Sequence, residues 1–160
     1  MTRWSSRETT TLYDPTRHEA LQAIRWDEAR VRAAIERIVA DTESSFSPDR
    51  YWALHPRDVD GDEDPQQPAT GLYYGACGVV WALQYLQSVG AARLSRHYGD
   101  TLDTLLLRNR ETLQSFDSQD FVSYFMGDTP ILMLAQGDAP TAARADALAA
   151  LIEGTGRQDR

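Results

Sequence analysis

The segment Leu72-Tyr73-Tyr74-Gly75-Ala76-Cys77-Gly78-Val79-Val80-Trp81 has a counterpart later in the chain, Tyr124-Phe125-Met126-Gly127-Asp128-Thr129-Pro130-Ile131-Leu132-Met133. Gly75 falls on Gly127, an offset of 52 residues. Each copy reads as an aromatic lead, a glycine, small or turn-forming residues, and then an apolar helix. A self-similar period of this length is the mark of stacked helical units.

The flanking segments complete two such units. Residues 75–89 are apolar nearly all round (Val79, Val80, Trp81, Leu83, Leu86), which predicts a helix buried on more than one side. Residues 95–115 carry Leu102, Leu105, Leu106 and Leu113 on one face and predict an amphipathic helix returning outside the first. The alternation recurs. Residues 127–135 are short and apolar, with Pro130 suited to a first helical turn and Asp128 or Thr129 to the N-cap. Residues 141–153 place Leu148, Leu151 and Ile152 on one side. Ahead of both units, residues 17–41 predict a long helix through Leu21, Ile24, Val31, Ile35 and Ile38, started by Asp14-Pro15. Residues 44–70, with four of the seven prolines, read as a long connection within one domain. Nothing has the period-two pattern of a strand.

The expected fold is therefore all-α. Buried inner helices alternating with half-buried outer ones predict an incomplete α/α toroid, about two hairpins plus an N-terminal helix. All 160 residues belong to that one domain, with a polar segment at 1–16. In such a ring the glycine turns share one end, and the backbone N–H groups of the inner helices point into its mouth.

Composition narrows the partners. Sixteen basic and 24 acidic residues give a net charge of −8, and the arginines form no basic stripe. Nucleic acid and anionic membranes are thus excluded as main partners. A single cysteine, Cys77, excludes an internal disulfide framework and a multi-cysteine metal site. No apolar run nears the roughly 20 residues of a membrane span, and the first 16 residues lack an apolar signal core. The expected location is the cytoplasm.

Gly75-Ala76-Cys77-Gly78, with its aromatic lead and apolar tail, resembles the glycine repeat of lanthionine synthetase C-like proteins. Tyr124 to Ala135 resembles the next repeat. The opening is similar to the N-terminus of bacterial members, in Leu12-Tyr13-Asp14-Pro15, His18-Glu19 and Trp26-Asp27-Glu28-Ala29-Arg30. The resemblance covers nearly the whole chain. It implies an α/α toroid of about six or seven hairpins. It also implies peptide modification, in which a cysteine or glutathione thiol adds to a dehydrated serine or threonine and forms a thioether. The family's cyclases hold one zinc ion through two cysteines and a histidine, and zinc keeps a thiolate deprotonated at neutral pH without redox chemistry. Those ligands lie in Trp-Cys and Cys-His-Gly motifs, and neither occurs here. The positions facing the Cys-His pair are Tyr73 and Tyr74 in one repeat, Phe125 and Met126 in the next. The chain is thus expected to be the N-terminal portion of such a protein. It would carry no zinc and no catalytic residue of its own, and would be completed by missing C-terminal hairpins or by a partner chain.

Individual residues sort accordingly. Tyr73, Tyr74 and Asp128 are the candidate substrate-binding residues, with Trp81 beside them as a possible wall of a peptide groove. Cys77, in the first turn of a helix, has a dipole that would lower its pKa; it otherwise reads as a small residue filling a glycine turn. His18, His55 and His97 are scattered. Asp58, Asp60, Asp62 and Asp64 alternate like a calcium loop, but Glu63 or Pro65 stands where the loop needs glycine, so they read as a solvated acidic loop. Asp117, Asp120 and Asp128 keep open a second class, a carbohydrate-active α/α-barrel enzyme with a carboxylate pair at its mouth. A third class is a non-catalytic module that binds a peptide or protein through its open edge.

Overall fold

A computed structural model describes residues 23–55, 68–73, 75–115 and 121–155. It is all-helical, with no strand among the described residues: α1 Glu28–Ser44, α2 Ala76–Ser88, α3 Gly99–Ser115, α4 Thr129–Asp138 and α5 Ala142–Thr155. None of these helices is long and apolar enough to cross a membrane.

The first helix corrects the sequence reading. Residues 23–27 are not helical, and α1 begins at Glu28. The reason is local: Asp27 has extended backbone, and its carboxylate accepts from the Arg30 amide at 3.1 Å, an N-cap that fixes the start. Ile24 therefore lies outside the helix and is exposed, as is Trp26. Asp14-Pro15 and Leu21 lie outside the described residues. The buried edge of α1 runs through Val39 and Glu43, with Ile35 partly buried, while Ile38 remains exposed.

Helix α1 is tied to the body by aromatic and polar contacts beyond its C-terminus. Phe46, Trp52 and Tyr98 cluster with ring centroids 5.1 to 5.9 Å apart, and Arg96 lies over the Phe46 ring. The Trp52 indole donates to the Thr42 carbonyl at 2.7 Å. Glu43, buried, accepts from the Ser95 amide through both oxygens at 2.9 and 3.0 Å. Ser47 and Tyr51 exchange two backbone hydrogen bonds across a tight loop. Tyr51 there adopts φ 58°, a left-handed conformation unusual for a side chain of its size and held by its complete burial.

The core joins Val80, Leu83, Leu102, Leu105, Ile131 and Ala135 from α2, α3 and α4, with Cys77 and Tyr98. Helix α3 begins at Gly99 rather than at Ser95, because the Ser95 amide is committed to Glu43 and the Gly99 amide donates to His97 Nδ1. Leu102, Leu105 and Leu113 are buried on its inner face and Leu106 is half-buried. Pro130 sits in the first turn of α4 as expected. Helix α5 lies against α4 with Leu148 and Leu151 half-buried and Ile152 exposed.

The two glycine segments fold alike, in register. The Ala76 amide donates to the Ala69 carbonyl, seven residues back, at 2.9 Å. Its counterpart, the Asp128 amide, donates to the Phe121 carbonyl at 2.7 Å. One position further, the Cys77 amide donates to Thr70 and the Thr129 hydroxyl donates to Val122, so the same carbonyl is satisfied by a different donor. Burial follows the same register: Val80 and Leu132 are buried, Leu83 and Ala135 are buried, and Trp81 and Met133 are exposed.

Candidate functional site

The two turns lie side by side. Leu72 and Tyr73 both donate their amides to the Phe125 carbonyl, at 2.8 and 3.3 Å. The Tyr73 and Phe125 rings meet edge to face with centroids 6.4 Å apart. The packing is close enough to require glycine: a Cβ on Gly71 would lie 2.9 Å from the Phe125 carbonyl oxygen, and one on Gly75 would lie 2.6 Å from the Gly71 nitrogen.

Aromatic side chains cover this end. Tyr73 is 75% exposed, and Tyr124, Phe125 and Met126 are exposed beside it. On α2, Trp81 and Tyr85 stack nearly parallel (11°) at 5.7 Å and also face outward. This corrects the expectation that α2 is buried on more than one side: Val80 and Leu83 are inside, but Trp81, Tyr85 and Val89 are not. An apolar pattern all round a helix says that both faces can be covered, and here one face has no cover among the described residues.

Between α1 and α2 lies an apolar groove of about 650 Å³. Ile38 and Thr42 line one wall, Val79, Trp81 and Leu86 the other, and Tyr73 and Tyr124 reach it from the two turns. No charged residue lines it. A smaller cavity of about 160 Å³ between α2 and α4 shares Leu72, Trp81 and Tyr124 with it and adds Met133. The size and apolar lining suit a hydrophobic peptide segment or a similar small molecule.

Asp128 is placed differently from the surface residue that the sequence suggests. It occupies the N-cap position of α4, but its side chain makes no capping bond. It is 1% exposed. Oδ1 accepts from Asn109 Nδ2 at 2.9 Å and Oδ2 from Arg110 Nε at 2.5 Å, while Asn109 Oδ1 accepts from the Thr70 hydroxyl at 2.7 Å. This chain of bonds ties the first turn to the second through α3. No sequence signal links these four residues, because each is polar in an otherwise ordinary local context. Tyr74, Asp117, Asp120, His18 and the acidic run at 58–64 lie outside the described residues.

The first turn of α2 is not an open anion cradle. The amides of Ala76, Cys77, Gly78 and Val79 are already bonded to the carbonyls of Ala69, Thr70 and Gly75. The expectation that these groups point into a mouth is thereby corrected: the loop folds back and takes them. Cys77 is wholly buried, and burial pushes its thiol up to about 12. Desolvation outweighs the helix dipole that the sequence reading invoked.

The described residues bring no zinc site together. Among the described residues no three His, Cys, Asp or Glu side chains gather to hold a metal. The sole cysteine is sealed in the core. His97 is engaged by the Gly99 amide at Nδ1 and by Asp138 at Nε2, 3.0 Å away. No protein-family model, curated protein or solved structure matches this chain.

Proposed function

We propose that this chain is a peptide-binding portion of a lanthionine synthetase C-like α/α toroid. The observation that carries the reading is the pair of equivalent glycine turns, joined side by side and fronted by Tyr73, Tyr124 and Phe125 over an apolar groove. In a ring of such hairpins every inner helix is covered by its neighbours, which gives the open faces of Trp81, Tyr85 and Met133 a purpose. The groove takes the apolar side chains of an extended peptide, with Tyr73 and Trp81 as its aromatic walls. Asp128 acts indirectly, by holding the second turn against α3.

Thioether formation needs an activated thiol and a dehydrated residue. Among the described residues there is neither a thiolate nor a ligand set for zinc, and on this reading the chain binds peptide without catalysing addition by itself. Further hairpins or a partner chain, bringing the thiol-activating groups, complete the enzyme. Asp128 has both carboxylate oxygens engaged and little exposure, an arrangement that favours a structural over a glycosidic role.

The test is titration of the purified chain with a peptide carrying dehydroalanine or dehydrobutyrine beside apolar residues, followed by tryptophan fluorescence. Saturable binding that Tyr73→Ala or Trp81→Ala weakens about tenfold supports the reading. No binding at millimolar peptide, tight one-to-one zinc uptake, or thioether formation by the chain alone would overturn it.

A further inference from the structure

A further cavity, of about 330 Å³, lies between α1 and the connection from α2 to α3. It shares only Val39 with the apolar groove, and unlike the groove it is charged. Arg32, Glu36 and Glu43 line it from one face of α1, at spacings of four and seven residues. Arg93 lines it from the connection, just after Gly90 turns the chain at φ 68°. Glu43 is only 8% exposed, yet its carboxylate accepts from neutral donors alone: the Ser95 amide through both oxygens, and the Tyr98 hydroxyl at 3.5 Å. Arg96, which stands next to Ser95, lies over the Phe46 ring instead. Among the described residues Glu43 has no ion pair. A buried carboxylate is ordinarily paired with a cation, and it has room for about four hydrogen bonds. At the rim, Arg32 is held by Glu28 at 3.0 Å, whereas the exposed Arg93 has no ion pair among the described residues. One cavity thus holds a carboxylate without a cation and a guanidinium without an anion, and the two do not pair with each other.

We propose that this cavity binds a free α-amino acid with a small apolar side chain. The ammonium group enters against Glu43, with Glu36 beside it, and the carboxylate faces the Arg93 guanidinium. Val39 and Ala92, both buried apolar residues of the lining, meet the side chain. Charge complementarity selects this class. A simple cation would be repelled by Arg93, and a simple anion by Glu36 and Glu43, whereas a zwitterion is attracted at both ends. The volume stands at the small end of the range for small-molecule sites, which suits a ligand of this size. The inference rests on Glu43 and Arg93 and not on the peptide reading, and either stands without the other.

The test is titration of the full chain at low ionic strength with L-valine, L-valinamide and N-acetyl-L-valine, followed by the amide NMR shifts of Ala91, Ala92 and Arg93. Valine is expected to saturate these shifts at millimolar concentration or below. Valinamide, which lacks the carboxylate, should bind about tenfold more weakly, and N-acetylvaline, which lacks the ammonium, should not saturate. Arg93→Ala changes an exposed residue and should lower valine to the affinity of valinamide while leaving valinamide no weaker. Glu43→Gln should abolish binding. Should that variant misfold by circular dichroism, Glu36→Gln takes its place, with an expected weakening of about threefold. No saturation by about 100 mM valine overturns the proposal. So does an equal response to all three compounds, or a preference for valine over valinamide that survives Arg93→Ala. If Arg93→Ala instead destabilises the chain and valine shifts nothing, Arg93 itself closes onto Glu43 in solution, and the proposal is again overturned.

Discussion

Tyr73 and Phe125, 52 positions apart in sequence, meet edge to face, and the amide of the first donates to the carbonyl of the second. Equivalent positions of two repeats are thus in direct contact. The contact locks the spacing of α2 and α4 at their N-terminal ends and puts the aromatic residues of both turns on one surface. The following predictions test the parts that hold this arrangement.

Two glycines in helices are expected to respond to alanine with opposite signs. A Cβ on Gly78 would run into the Leu72 carbonyl oxygen, a backbone atom of the first turn. One on Gly137, in α4, has nothing within 4 Å. Gly137→Ala should stabilise by about 0.5–1 kcal/mol through helix propensity. Gly78→Ala should destabilise by about 1–3 kcal/mol despite the same propensity gain. Urea midpoints of both variants check this, and equal signs would show that the first turn does not press on α2.

The Arg110–Asp128 pair is expected to be coupled. Arg110→Ala leaves a carboxylate that is almost wholly buried with only Asn109 as donor, and Asp128→Asn removes the negative charge and leaves one oxygen to serve both Asn109 and Arg110. Each should cost about 1–3 kcal/mol, and the double variant less than their sum by about 1 kcal/mol or more. The half-exposed guanidinium keeps the figure below that of a fully buried pair. Strict additivity in a double-mutant cycle would remove the pair from the account of how the two turns are joined.

Stability should fall as pH rises above about 9. Burial pushes the Cys77 thiol from 9.0 to about 12. Burial, then the Glu43 charge, push the Tyr98 phenol from 10.0 to about 12, against the opposing pull of Arg96. In the unfolded chain both groups ionise near their ordinary values, so between those values and about 12 the unfolded state binds fewer protons. The favourable difference is whole below pH 9 and is lost as pH climbs toward 12, at up to about 1.4 kcal/mol per unit for each group. Urea denaturation at pH 8, 9.5 and 11 should show the decline, and Cys77→Ala should flatten its first part. A wild-type profile flat to pH 11 would mean that neither group is sealed as described.

Cys77 should also resist alkylation. With the thiol at 0% exposure and protonated at neutral pH, iodoacetamide should label it only when the chain opens, and the labelling should rise along the urea transition. Rapid labelling of the native chain would place the first turn elsewhere.

The sequence revealed the helices and the repeat because both are periodic. Leu102, Leu105 and Leu113 repeat at helical spacing, and Gly75 and Gly127 each head a helix with the same lead. The start of α1 was not legible, since Leu21 and Ile24 continue the apolar spacing past the point where the Asp27 cap ends it. Nor was the openness of α2, because burial depends on neighbours and the pattern records only what a face tolerates. For the site, Tyr73 is exposed beside the groove, whereas an aromatic residue next to an inner helix is more often core. Asp128 was singled out for its place at a helix start, yet its partners are Asn109 and Arg110 on another helix. Polar partners that distant leave no local trace.

The joint between the turns is made by main-chain groups: two amides and one carbonyl. The hydrogen bonds of that joint therefore do not depend on which side chains the turns display, although the Tyr73 and Phe125 rings add a contact of their own. A lineage could exchange Tyr73, Tyr124 or Phe125 for other residues and alter what the surface recognises while the pitch of the array stayed fixed. Cys77 and Thr129 already illustrate the principle, using a backbone donor in one unit and a hydroxyl in the other to reach the same carbonyl. Recognition and assembly are in this way written in separate alphabets, one of side chains and one of backbone.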